Sequence, residues 1–178
     1  MNCRFLLVGL AALALSACAS PAKVENMVVS AAAGAPAANP GLVEAICVTK
    51  VTGGQKTNPL WTSEVDDASF RAALEGSLRN NHLAAANADR CRYDLEANLL
   101  GLAQPIIGFN MTVTSHVNYS VLERPSGNSY FLTTVNAPYT ATVGDAFAGV
   151  KRLRLANEGS IRSNIQKFID ELLAHEPT

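Results

Sequence analysis

From Phe109 to Val121 the chain alternates without a fault. Phe109, Met111, Val113, Ser115, Val117, Tyr119 and Val121 are apolar or small, and Asn110, Thr112, Thr114, His116, Asn118 and Ser120 between them are polar. A period of two sustained this long predicts an antiparallel strand over 109–122, with one face on a core and the other toward water or a partner. Ser126-Gly127-Asn128 predicts a hairpin turn into a strand over 129–136, rich in Tyr, Phe and Thr. Pro138 is expected to interrupt the sheet register there. Upstream, residues 43–51 alternate with Val43, Ala45, Cys47, Thr49 and Val51 on one side, and Gly53-Gly54 ends that strand. A further strand is predicted over 94–104, separated from the next by Pro105.

Two segments carry the helical period instead. Phe70, Ala73, Leu74, Ser77 and Leu78 recur as one face of a helix over 64–82, with Thr62 or Ser63 as its cap and Glu64, Asp66 and Asp67 in its first turn. Trp61, beside Pro59, is expected to close the core edge as a staple on that helix. Asp145 is expected to open the second helix, over 146–174. Its stripe is Val150, Leu153, Asn157, Ile161, Ile165, Phe168 and Leu172, with one polar position, and Gly149 and Gly159 allow close approach or a bend. The order strand-helix-strand-strand-strand-helix predicts an α+β fold: a single four-stranded, mostly antiparallel sheet with two helices packed on one face.

The N-terminus predicts export. Arg4 precedes an apolar run from Phe5 to Leu15 that is too short to span a bilayer, and small residues lead up to Cys18. The segment resembles a bacterial lipoprotein signal, which implies cleavage before Cys18 and acylation of its sulfur and its new amine. Residues 1–17 are then the signal peptide, 18–41 the lipidated cysteine and a flexible tether, and 42–178 a single α+β periplasmic domain. The tether expectation rests on Ala, Pro, Gly, Ser and Asn predominating between Ala19 and Gly41, with only Val24 to Val29 able to add an edge strand. Ala19 and Ser20 after the cysteine, with no Asp, resemble sorting to the outer membrane.

Charge and chemistry exclude more than they assign. With 14 Lys and Arg against 15 Asp and Glu, nothing argues for nucleic acid. Cys47 and Cys91 are a candidate disulfide in an exported domain; the alternative is a buried apolar Cys47 and a semi-exposed Cys91 thiol. His82, His116 and His175 stand apart from other ligand types, so neither a metal nor a cofactor is implied. Ser115 and His116 are neighbours in a strand and point to opposite faces, and Gly53-Gly54 lacks the spacing of a phosphate loop. No enzyme is implied.

Two surfaces are candidates for binding. Thr112, Thr114 and His116 belong to a polar row without a charge between Phe109 and Leu122, which is easy to desolvate against a partner. Lys151, Arg152 and Arg154 form a basic cluster suited to anionic headgroups or an acidic partner, with Glu158 placed to pair along the helix. These point to a non-enzymatic binding or assembly component of the envelope, its partner an envelope protein or a second copy. The alternative is a carrier or transport-auxiliary protein for a lipid or other amphiphile. The narrow apolar stripes, with no surplus apolar face, favour the first.

The segments Thr52-Gly53-Gly54, Asn58-Pro59-Leu60-Trp61, Gln104-Pro105, Gly108 to Thr114, Ala137 to Thr142 and Arg152 to Gly159 together resemble a family of uncharacterised proteobacterial lipoproteins. That resemblance brings no activity with it. The element order and the anchor are also similar in topology to outer-membrane assembly or transport-auxiliary lipoproteins, such as the plug lipoprotein of the lipopolysaccharide translocon.

Overall fold

The computed structural model describes residues 19–31, 40–58 and 62–176; Cys18, the signal segment and Trp61 lie outside them. The elements are a short helix α1 (Val24–Met27), β1 (Ile46–Thr52), α2 (Asp67–Asn80), a 3-10 turn (Ala88–Arg90), β2 (Tyr93–Ala103), β3 (Met111–Glu123), β4 (Ser129–Ala141) and α3 (Gly149–Ala174). The strands form one sheet in the order β1-β2-β3-β4, with β1 parallel to β2 and the other neighbours antiparallel. A parallel pair needs a crossover and α2 provides it, whereas β2 to β4 follow one another by short turns. The α+β sheet with α2 and α3 packed against it is the architecture that the alternation and the helical stripes predict.

Burial follows the period of two in β3. Val113, Ser115, Val117, Tyr119 and Val121 are wholly buried, and the polar residues between them face outward. The Tyr119 ring stacks on Phe168 of α3 with centroids 4.1 Å apart, while Phe70, Leu74 and Leu78 of α2 enter the same core.

Polar groups stitch α3 to the sheet from inside. The Ser160 hydroxyl accepts from the Ser115 amide at 2.8 Å and donates to the Ala137 carbonyl at 2.7 Å, bridging β3 and β4. Asn164 donates to the Ser115 and Val135 carbonyls at 3.2 and 3.0 Å and accepts from the Tyr119 hydroxyl at 3.0 Å. Burial pushes the Tyr119 phenol well above its ordinary pKa, so it remains a donor. The polar position in the α3 stripe has the same kind of role. Asn157 donates to the Ser63 carbonyl at 2.6 Å and accepts from Gln104 at 3.2 Å. Each of these groups would be costly to bury alone, so together they fix the register of helix on sheet.

Several local expectations are corrected. Pro138 does not break β4: it pairs with Thr114, and the strand runs on to Ala141. As an edge strand, β4 has one side on which a missing N–H loses no ladder bond. In β1 a bulge between Val48 and Lys50 shifts the alternation, so that Ile46 and Val51 are the buried residues. Asp66 caps α2, accepting from the Ser69 amide at 2.7 Å, while Ser63 is buried and donates to the Ser20 carbonyl at 2.8 Å. Asp145 lies ahead of α3 and holds the amide and hydroxyl of Thr142 at 2.7 and 2.8 Å.

The largest correction concerns residues 19–31, expected as part of a tether. They form α1 and pack against α3 and α2, with Met27 at 0% and Val29 at 3% exposure. The anchoring group is Glu158 of α3, 1% exposed. It accepts from the Lys23 amide at 2.8 Å and the Asn26 side chain at 2.7 Å, and pairs with Arg154 at 3.3 Å. A small-residue composition disfavours an independent core, but the buried Ala22, Met27 and Val29, the Glu158 carboxylate and the bonds of Val29 to Ser77 and Asn80 hold this segment on a core already formed.

Candidate interaction surfaces

The outward face of the sheet is uncovered by any described element, and its polar side chains pair with one another across the strands. Thr112 meets Thr140 at 2.8 Å, His116 Nδ1 meets Asn136 Oδ1 at 2.6 Å, and Asn118 donates to Thr134 at 3.1 Å. Thr52 of β1 donates to Asn98 of β2 at 3.1 Å, and Asn98 is the register partner of Asn118. One row, Thr52, Asn98, Asn118 and Thr134, therefore crosses all four strands without a charge. Thr114 lies opposite Pro138 and keeps its hydroxyl on the same face. Charge enters toward the other end of the strands, where Lys50 lies in register with Glu96 and Arg124, just past β3, forms an ion pair with Asp94. Cross-strand pairing of this kind orders the hydroxyl and amide groups before any partner arrives.

The basic cluster of α3 comes apart. Arg152 is 7% exposed and its guanidinium donates to the Ala146 carbonyl at 2.8 Å and to the Phe147 and Gly108 carbonyls. Arg154 is drawn inward to Glu158 and to the Ser20 hydroxyl, which it meets at 2.6 Å. Only Lys151 of the three faces solvent. Their charges on adjacent helix positions suggested one surface, but the helix period places 152 toward the sheet and 154 beneath the N-terminal segment.

Cys47 and Cys91 are joined by a disulfide with Cα atoms 5.6 Å apart. It ties β1 to the chain entering β2. His116 is half-buried on the outer face while Ser115 is hidden under α3 and donates to the Ser160 carbonyl at 3.1 Å. Among the described residues no three His, Cys, Asp or Glu side chains gather where a metal ion could sit.

A surplus apolar surface does exist, contrary to the narrow-stripe expectation. Ile106, Ile107 and Phe109 in the β2–β3 connection are 97, 86 and 87% exposed, and Phe147 just before α3 is 93% exposed. Phe109, expected inside the strand, precedes it. The signal was legible: three large apolar residues crowd a Pro105 to Asn110 turn, where polar residues are the rule. Elsewhere, a hollow of about 650 Å³ between the α1 region and α3 offers Val28 and Val29 as apolar wall, among Glu25, Ser30, Arg162 and Lys167. That lining suits water better than an acyl chain.

No family model matches the chain, and no curated protein does. Among solved structures it is similar to protein XCC0632 from Xanthomonas campestris, of the DUF330 family, with a TM-score of 0.58 at 11% identity over 88% of this chain and 95% of that one. It is also similar to a Caulobacter crescentus CB15 protein provisionally classed as a lipoprotein, with a TM-score of 0.51 at 12% identity over 74% of this chain and 90% of that one. At these identities the likeness is one of fold. It extends over nearly the whole of both relatives, so the chain shares their fold.

Proposed function

We propose that the chain is a lipoprotein of the cell envelope, cleaved before Cys18, acylated there and sorted to the outer membrane with its domain in the periplasm. Its work is non-enzymatic: it binds an envelope protein or a second copy of itself as a component of an assembly. The observation that carries this reading is the uncovered sheet face, where Thr112, Thr114, His116, Asn118 and their β4 partners offer an ordered, uncharged hydrogen-bonding surface. Such groups exchange water for a partner at low cost compared with ions. The signal-like N-terminus supports the anchor, and the shared fold agrees with it.

Replacing Thr112 and Thr114 together by Lys should leave the monomer folded, since both side chains point away from the core. It should also disperse the complex that crosslinking in intact cells recovers. A complex that survives the double substitution removes this face from consideration. Cys18→Ser should abolish acylation and membrane retention, and unchanged retention would refute the anchor.

A further inference from the structure

The four most exposed of the large apolar side chains, Ile106, Ile107, Phe109 and Phe147, are one built feature. Ile106, Ile107 and Phe109 belong to the β2–β3 connection and Phe147 to the β4–α3 connection, yet a single buried guanidinium joins the two. Arg152 donates to Gly108 in the first connection and to Ala146 and Phe147 in the second. The backbone is thereby held while the side chains are turned outward, an arrangement that core packing does not require.

The position of this tip relative to the N-terminus identifies what it meets. Ser20, Lys23 and Asn26 lie alongside Arg154, Glu158 and Arg162 of α3 in that order. Traced backward, the N-terminal segment therefore runs toward the start of α3, where Phe147 stands. Ser20 sits opposite a point only about 8 Å of helix rise from Gly149. Because residues 19–31 are fixed to the body, an acyl anchor at Cys18 leaves the body at the end that carries the tip. Lys151, exposed in the first turn of α3, adds a cation suited to anionic headgroups.

We propose that Ile106, Ile107, Phe109 and Phe147 insert into the headgroup and outer acyl region of the membrane that holds the anchor. The inference rests on the acylation of Cys18. The anchor confines the tip to the membrane surface, so each contact forms at high effective concentration, and aromatic and aliphatic side chains are favoured at that depth. The domain is then fixed in orientation as well as tethered.

The test uses the full-length acylated chain purified from membranes, carrying Phe147→Trp, a conservative change at an exposed site. It is reconstituted in vesicles of phosphatidylethanolamine and phosphatidylglycerol that contain acyl-brominated lipid. Emission of the parent chain, whose lone Trp is Trp61, is subtracted. The added indole should lose at least half its emission to brominated lipid and gain protection from acrylamide, while a Ser126→Trp reporter at the opposite hairpin shows neither. A Phe147→Trp chain that floats with the vesicles but whose added emission is unquenched overturns the insertion and leaves the anchor standing. Protection from acrylamide without quenching by brominated lipid means that a second copy covers the tip, which also overturns it. A chain without acyl mass at its N-terminus, or one that does not float, refutes the anchor and the insertion together.

Discussion

Glu158 shows how one residue changes the identity of a segment. Its carboxylate is almost wholly inaccessible and is satisfied by the Lys23 amide, the Asn26 side chain and Arg154. Breaking a buried pair by removing one partner strands the other, at a cost of roughly 3–5 kcal/mol. Glu158→Ala should lower stability by about that amount in urea unfolding and raise hydrogen exchange at Lys23 to Met27. A second residue reverses an ordinary rule: Gly159 lies mid-helix, where Gly→Ala normally stabilises by about 1 kcal/mol. Here a Cβ would collide with the Tyr139 ring. Gly159→Ala should therefore destabilise by about 1–3 kcal/mol, and a stabilised variant would show that the ring yields freely. Glu64 is the titrating case, its carboxyl raised above the ordinary 4.5 chiefly by burial, against hydrogen bonds from Thr62 and Gln104. The folded state therefore binds more protons than the unfolded one just above that value, and stability falls as pH rises through the window. Glu64→Gln should flatten that slope in urea midpoints measured across it.

At the scale of elements, the unbroken alternation of β3 and the stripes of α2 and α3 were legible because each buries one face of a regular repeat. What failed was local and had a physical cause in each case. Thr49 sits at a bulge that a simple period of two cannot anticipate, and Pro138 is tolerated because β4 is an edge, a property of strand order. Of the candidate surfaces, the Thr and Asn row was visible in the pattern. The dispersal of Lys151, Arg152 and Arg154 was not, since it depends on what packs over each side of α3. The Cys47–Cys91 disulfide joins elements that are separated by 44 residues and bracket α2. In the chain-entropy picture a loop of that length stabilises by about 4 kcal/mol, with measured values commonly about 2–4. A Cys47→Ala, Cys91→Ala variant should lose stability in that range, and the mass of the alkylated, non-reduced parent should show both thiols blocked from reaction.

At the scale of the whole molecule, the domain begins earlier than its composition suggests, and under the proposed anchoring this governs how it would stand on a membrane. The strands run between the apolar tip and the Ser126-Gly127 hairpin, so a body seated on the tip presents its uncovered polar sheet face sideways, toward neighbours in the same membrane. That orientation requires residues 19–31 to be part of the rigid body. A freely moving tether would leave the domain free to tumble. Met27 decides between the two, because it is completely buried with Phe70, Leu74 and Ile161 in the same core cluster. In a tether, Met27→Ala would change stability by no more than about 0.5 kcal/mol. In a docked segment it removes a core side chain and leaves a cavity, at a cost of about 2–5 kcal/mol. The larger loss is the expected outcome in urea unfolding. A chain shortened to begin at Gly41 should go further: it strips Glu158 of Lys23 and Asn26 and uncovers the core, so it should unfold at lower urea and bind a hydrophobic dye. Parent-like stability in both variants would return residues 19–31 to the role of a tether and remove the fixed link between the anchor and the tip.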